Sequence, residues 1–325
     1  METLKYYMFD FWEQESDPRI SNYPMMKGGP WMAWSIVAAY VYFVKSLGPR
    51  LMKNRESMNL QSLIVAYNLS MIIINAYFFY QIMVPYHLGI DINIWNFERN
   101  EHLDYTPRTM HVCFLSYLYL LSKYMDLIET IFFILRKKFN QISSLHVYHH
   151  AIVPILVHMF IKVSPAGGPG AMFPLLNTFI HTIMYIYYTL SALGLRRYTW
   201  WKKYVTQLQL TQFVIFGIYG WLFLLNQKGY PKIFTFLGII QPVIFFAMFF
   251  SFYKRAYRSS INRFKADNRT KITTNGTYID NNKITTVADD ATDNCCDHHE
   301  NGQINQMVSN GNTSTNGIVN SKKHE

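Results

Sequence analysis

Three imidazoles, at positions 146, 149 and 150, are of a type and spacing that could do chemistry. In His146-Val147-Tyr148-His149-His150 they recur at i, i+3 and i+4, so a helix would carry all three on one face. A neutral imidazole is a nucleophile, a general base or a metal ligand near neutral pH. A second group, Lys123, Asp126, Glu129 and Thr130, places ionisable side chains inside an apolar run, where they are costly. Spacings of three and seven put Lys123, Asp126 and Thr130 on one stripe, with Glu129 three beyond Asp126. These residues either form a structural ion pair or orient the histidines, Asp126 or Glu129 fixing a tautomer. A third stripe holds Asn177, His181, Met184, Tyr185 and Tyr188; His181 reads as chemistry, the Tyr and Met as packing. Thr206, Gln209 and Gln212 recur every three residues and fit either interhelical hydrogen bonds or ligand donors. His87, His111 and His158 read as ordinary satisfied core histidines.

Metal chemistry finds little support in this pattern. A histidine-box di-iron site needs several boxes, and only one is present; His87 and His102 fall on the opposite side of the chain's spans. Zinc on the three clustered imidazoles stays open but would want a carboxylate behind each histidine. Cys295, Cys296, His298 and His299 resemble ligands but sit in a polar tail. The expectation is therefore no metal and no cofactor.

The elements that must position these groups are membrane helices. Half of the 325 residues are apolar, 17% are aromatic and 15% are charged, against about 25% charged in soluble domains. A mean hydropathy of +0.01 arises because a polar tail dilutes an apolar body. A soluble globular protein, a disulfide scaffold and a disordered chain are excluded for that body, and Cys113, Cys295 and Cys296 make no disulfide framework. The first 30 residues lack the basic start and apolar core of a signal peptide. Seven mainly apolar runs are long enough to span a bilayer: about 31–47, 60–84, 110–135, 145–163, 171–193, 204–226 and 233–253.

Charge sets the expected orientation. The connectors on one side, with the proximal tail, carry 18 Lys and Arg, and those on the other carry 8. The richer side reads as cytosolic, so the N-terminus is lumenal or outside and the C-terminus cytosolic. The net charge of +10 is thus topology, or attraction for an anionic surface or substrate, rather than nucleic-acid binding. The chain divides into an N-terminal lumenal segment 1–30, a seven-helix membrane domain 31–253 and a disordered cytosolic tail 254–325. The tail has 12 asparagines between Asn262 and Asn320, and its sequons at Asn268, Asn275 and Asn312 should stay unglycosylated. It ends Lys322-Lys323-His324-Glu325, which resembles a di-lysine retrieval signal for the endoplasmic reticulum.

In this topology the polar groups of four helices share the cytosolic half of the membrane, with His181 roughly mid-depth and an apolar, aromatic half beyond. That suits a substrate with a charged head and a long apolar tail. A seven-helix receptor or a transporter for a lipid-like ligand is the alternative. The third run ends Leu135-Arg136-Lys137-Lys138 rather than Asp-Arg-Tyr, and neither an internal repeat nor broken helices favour a transporter.

Together these motifs resemble the ELO family of very-long-chain fatty acid elongases. The resemblance rests on Lys123-x-x-Asp126-x-x-Glu129-Thr130, His146-x-x-His149-His150, Asn177-x-x-x-His181-x-x-Met184-Tyr185 and Thr206-x-x-Gln209-x-x-Gln212. Gly48-Pro49, Met52-Lys53-Asn54-Arg55 and Tyr67-Asn68 add to it, over about residues 20–265. Where the family usually has Glu then Asp before the Thr, this chain has Asp126 then Glu129. The resemblance implies an all-α integral membrane protein, a barrel-like bundle of seven transmembrane helices enclosing a substrate tunnel closed at the lumenal end. It implies condensation of a long-chain acyl-CoA with malonyl-CoA, releasing CO2 and CoA and giving a 3-ketoacyl-CoA two carbons longer. His149 would form an acyl-imidazole; His146, His150 and His181 would move protons or stabilise enolate charge; Lys123, Asp126 and Glu129 would orient them. Asn177, Tyr185, Thr206, Gln209 and Gln212 would contact substrate. It further implies the endoplasmic reticulum membrane, with the ketoacyl-CoA reductase, hydroxyacyl-CoA dehydratase and enoyl-CoA reductase of the cycle as partners, and leaves a homodimer open.

Overall fold

A backbone in apolar surroundings must close its own hydrogen bonds, and each apolar run here does so as helix. The structure is a computed structural model that describes residues 5–88, 92–99 and 103–272, with backbone alone at Arg196 and over 258–272. Eight helices carry the fold: α1 (Trp31–Tyr42), α2 (Gln61–Met83), α3 (Pro107–Met125), α4 (Leu127–Leu135), α5 (Ser144–Val163), α6 (Met172–Ala192), α7 (Lys202–Asn226) and α8 (Lys232–Ile272). A π-helical stretch, Phe43–Leu47, and a further turn, Gly48–Met52, continue α1. Among the described residues the only β features are two isolated bridges, Leu88 with Ile92 and Glu98 with Lys228.

All seven expected runs fall within helix. Four helices among the described residues are long and apolar enough to cross a membrane: α2, α5, α7 and the Lys232–Tyr257 part of α8. The exceptions are instructive. The apolar run that contains α1 is split by its π-helical stretch, and α3 and α6 are diluted by the same polar residues that mark the site. The run 110–135 is two helices meeting at Asp126, whose amide still bonds the Ser122 carbonyl at 3.1 Å.

Local sequence sets the helix starts. Thr106 caps α3 by accepting from the Thr109 amide, with Pro107 in the first turn, where its missing N–H costs nothing. Asp104 accepts from the Thr106 amide at 2.8 Å, and its carboxyl is held below its ordinary range chiefly by the Thr109 hydroxyl and then by Thr106. Ser143 caps α5 by accepting from the His146 amide at 3.1 Å, which fixes the phase of the histidine triplet. Pro154, inside α5, has no N–H to offer the His150 carbonyl, and Pro242 leaves the Gly238 carbonyl of α8 in the same state.

Consecutive connectors gather at opposite ends, so successive helices run up and down. At one end the Met58 amide bonds the Leu135 carbonyl at 3.0 Å and Gln61 reaches the Ala192 carbonyl at 2.9 Å. At the other, Arg99 pairs with Glu15, the Arg99 amide bonds the Lys228 carbonyl at 2.9 Å, and Tyr219 donates to the Ile94 and Pro169 carbonyls. The N-terminal segment is part of that end. Phe11 and Trp12 pack with Met159, Val163 and Phe234, and the Asp17 amide bonds the Lys162 carbonyl at 2.8 Å. Within the bundle α2 packs most extensively on α6, α5 lies against α1 and α3, and α6 against α7.

Residues up to Tyr253 form one compact unit. The disorder expected from 254 does not begin there: helix continues to Ile272, because no proline or glycine interrupts residues 254–272. The Asn-rich remainder, with Asn275, Asn312, Cys295, Cys296 and Lys322-Lys323, lies outside the described residues, as does His102.

Gly220 of α7 has no room for a side chain. A Cβ there would meet the Gly238 carbonyl oxygen at 2.6 Å, backbone that cannot turn aside. Gly220→Ala is expected to destabilise the protein by about 1–3 kcal/mol through overpacking. Thermal unfolding in detergent should show a midpoint lower by several degrees; an unchanged midpoint would contradict this close approach.

Candidate active site

The cap on α5 turns His146 toward α4. His146 Nε2 lies 2.8 Å from Thr130 Oγ1, which in turn lies 2.9 Å from the Tyr40 hydroxyl of α1. One turn on, His150 Nε2 is 3.6 Å from Glu129 Oε2. The His146 and His150 rings are 4.2 Å apart between centroids, and His149 and His150 5.3 Å. His181, from α6, completes the group: its ring lies 6.3 Å from that of His149, 30° from parallel. Four imidazoles thus converge from two helices. Among the described residues His149, like His150 and His181, has no hydrogen bond to protein, but unlike those two it is only half-buried, and it packs on Phe245 at 5.6 Å and Phe249 at 6.5 Å.

Beside the imidazoles lies a second network built on a buried charge. Lys123 is 1% exposed, and its Nζ sits 3.1 Å from Asp126 Oδ2 and 3.1 Å from Asn177 Oδ1. Tyr119 donates to the same Asn177 oxygen at 2.9 Å. The other Asp126 oxygen accepts from Tyr185 at 3.0 Å, and the Tyr185 hydroxyl is 3.4 Å from that of Tyr67. Such a pair is worth its desolvation only with further partners for its lone pairs and protons, and Asn177, Tyr185 and the Tyr119 ring supply them. The two carboxylates therefore divide the work. Asp126 holds Lys123 and Tyr185, and Glu129 is the one beside a histidine.

The expected substrate contacts separate into engaged and free groups. Thr206 is buried, with its hydroxyl 3.5 Å from the Lys202 carbonyl of its own helix, and Gln209 donates to Met184 Sδ at 3.4 Å. Asn177 and Tyr185 are committed to the charged network. Gln212 is buried and has no hydrogen bond to protein among the described residues. His158 is buried as expected but unsatisfied, since neither ring nitrogen has a partner. His87 and His111 are exposed rather than core, and His111 Nδ1 bonds the Tyr86 hydroxyl. Glu129, His146 and His150 bring ligand atoms within 4.8 Å of one another, the set that could hold a metal ion, with His149 and His181 outside it.

A cavity of about 240 Å³ is lined in part by Phe245, the residue on which His149 packs, and, among the described residues, by no histidine itself. Tyr119, Phe213, Phe216 and Phe173 line its middle. Its far reach meets Ile92, Pro169, Tyr219 and Tyr230, at the end tied by the connectors. Sequence spacing gave no site role to Tyr40, Tyr67, Tyr119 or Phe245, although Tyr67 stands in the Tyr67-Asn68 pair of the family resemblance. Tyr119 stands four residues before Lys123 and was within reach of a spacing argument; the other three join the site only through tertiary packing.

Residues 25–265 match the family described as ELO: GNS1/SUR4. The chain is 37% identical over 252 residues to very long chain fatty acid elongase 7 of Drosophila melanogaster, covering 76% of this chain and 75% of that one. It is 37% identical to elongase 7 of Rattus norvegicus over 262 residues, covering 78% and 90%. Against elongase 1 of Homo sapiens the figures are 37% over 252 residues, 75% and 87%.

The buried network makes a stability prediction. Asp126→Asn removes the charge that neutralises Lys123 and should cost roughly 3–5 kcal/mol, whereas Lys123→Met combined with Asp126→Leu should recover most of it. Glu129→Gln should leave the unfolding midpoint within about a degree or two of wild type, because no cation is left unpaired. Thermal unfolding of the purified variants checks the order.

Proposed function

From its membership of the ELO (GNS1/SUR4) family the chain is a condensing enzyme of fatty acid elongation, and we propose that it works through an acyl-imidazole on His149. It joins an acyl-CoA to malonyl-CoA to give a 3-ketoacyl-CoA. Receptor and transporter readings fall away with that membership. The observation that carries the mechanism is the position of His149, unclaimed by hydrogen bonds and in contact with a wall of the cavity.

In this reading the acyl chain lies in the cavity with its thioester at His149. The imidazole nitrogen attacks the carbonyl carbon, the C–S bond breaks, and CoA leaves as thiol with the proton given up by the imidazole. Malonyl-CoA then loses CO2, and the electron pair of the broken C–C bond becomes an enolate. Attack on the acyl-imidazole forms the new C–C bond, and the released imidazole nitrogen regains a proton from solvent. Gln212, with its amide uncommitted, and His146, His150 and His181 supply donors for the enolate oxygen. Thr206 and Gln209 line its approach. Lys123, Asp126, Asn177 and Tyr185 position the group, and Glu129 orients His150.

No metal is required in this scheme, since decarboxylation itself generates the nucleophile. The charge bias and the alternating connectors support seven crossings with a lumenal N-terminus and a cytosolic C-terminus, and the family resemblance implies a tunnel closed at the far end. Retention in the endoplasmic reticulum through Lys322-Lys323 belongs to the same reading. The 3-ketoacyl product needs reduction, dehydration and a second reduction, so the enzymes of those steps are its expected partners, whether it acts as monomer or homodimer.

Purified protein given labelled acyl-CoA without malonyl-CoA should accumulate an acyl group on the peptide containing His149, seen by mass spectrometry. His149→Ala should lose that adduct and lower condensation by at least about a hundredfold. A correctly folded variant with near-wild-type turnover would overturn the nucleophile. Dialysis against a strong chelator should leave turnover unchanged; loss restored by zinc would assign a metal to Glu129, His146 and His150 instead.

A further inference from the structure

We infer that Gln241 is a specificity-determining residue: its side-chain Nε2 offers hydrogens to the bound acyl chain and favours chains with a cis double bond at that level. The inference rests on the reading of the cavity as the acyl site. α8 turns one stripe to the cavity, Phe234, Leu237, Gly238, Gln241, Pro242 and Phe245, at helical spacing. On its other face Ile233, Phe236 and Val243 are exposed. Gln241 is the one polar side chain in the stripe. Tyr148 of α5 donates to its Oε1 at 2.9 Å, which turns the Nε2 hydrogens away from Tyr148. Nε2 itself has no hydrogen bond among the described residues. Gln241 is only half-buried, so that nitrogen opens on the space the stripe faces.

Other polar side chains along the wall are already engaged. Gln81 donates to the Tyr77 hydroxyl at 2.9 Å, Tyr119 to Asn177 at 2.9 Å and Ser116 to the Pro165 carbonyl at 2.7 Å. A saturated chain laid against Gln241 displaces water from Nε2 and gives its hydrogens no acceptor, which disfavours binding. A cis double bond changes that balance. Its π electrons accept a weak hydrogen bond from N–H, while its carbons keep their contact with the rings around them. A hydroxyl or oxo group is a stronger acceptor, but it would be buried beside Phe213, Phe216 and Phe245 with part of its hydrogen-bonding capacity unfilled. Gln241 stands one helical turn beyond Phe245, about 6 Å along the axis, and Phe245 is the residue that touches His149. Counted from a thioester at His149, that level is roughly the fifth to eighth carbon of an extended chain.

The test measures kcat/KM for condensation by the full chain in lipid nanodiscs, with stearoyl-CoA and its cis-Δ6 and cis-Δ11 counterparts in competing pairs. Wild type should prefer the Δ6 chain to the saturated one by about three- to fivefold, with the Δ11 chain close to the saturated one. Gln241→Leu should bring the Δ6 preference to about one, through a gain with the saturated chain, and Tyr148→Phe, which frees the amide to turn, should lower it part of the way. Each readout is a ratio within one preparation, so a variant that folds in lower yield still reports. Equal use of Δ6 and saturated chains by wild type, or an unchanged preference in Gln241→Leu, would overturn the proposal. A Gln241-dependent preference for 6-hydroxystearoyl-CoA over the Δ6 chain would overturn the assignment to unsaturated chains. Should folded protein condense none of these esters, the same ratios taken from their dissociation constants decide the role of Gln241 apart from the condensation reading.

Discussion

Lys123 brings a full positive charge into a bundle where almost none of its side chain is exposed, and much of the site is arranged around neutralising it. Asp126 supplies the counter-charge from the next turn, Asn177 an oxygen from α6, and Tyr119 a second donor to that oxygen. Through Tyr185 the Asp126 carboxylate reaches Tyr67 on α2. The α3–α4 junction is thereby fixed against both α2 and α6, and that junction sets where Glu129 and Thr130 stand. Those two are the residues that meet His150 and His146. One buried charge thus positions the imidazoles indirectly, through a backbone it anchors rather than through contact.

Two kinds of interior lie side by side in consequence. Around Lys123 and the histidines, most polar atoms of the described residues have partners, and those without a hydrogen bond include His149, Gln212, the Tyr124 hydroxyl, and nitrogens of His150 and His181. Beyond Phe245 the walls are largely aromatic and aliphatic, and polar groups among them are turned to other partners, as Ser116 donating to the Pro165 carbonyl and Gln241 accepting from Tyr148. A thioester at the junction would have its reacting carbon among donors and its chain among rings. The close approach of α7 and α8 at Gly220, beside a carbonyl released by Pro242, shapes the apolar side.

Much of this was legible in the sequence because membrane helices and charged residues within them are strong signals. The seven apolar runs fall within helix, and the grouping of Lys123, Asp126, Glu129, His146, His149, His150 and His181 is what the structure brings together. Periodicity gives a face, not a partner, so it left open which carboxylate meets which histidine. It also misjudged His158, whose lack of partners depends on what lies opposite, and His87 and His111, whose exposure depends on connector geometry. Tyr40 stands in a run of Ala and Tyr with nothing to mark it, and its bond to Thr130 exists only once α1 lies beside α5. The continuation of α8 past Lys254 shows a further limit: polarity ends a membrane span without ending a helix.

The packing of the N-terminal segment bears on how the molecule is assembled. Phe11 and Trp12 rest on Met159 and Val163 of α5 and on Phe234 of α8. Synthesis runs from the N-terminal side, so this segment precedes its docking partners by roughly 150 and 220 residues. Contacts so far apart in sequence close late, after the helices between them have inserted. Until α8 is in place, the bundle end that this segment covers stays open and its aromatic side chains lack their seat. This early segment is then among the last to reach its native position.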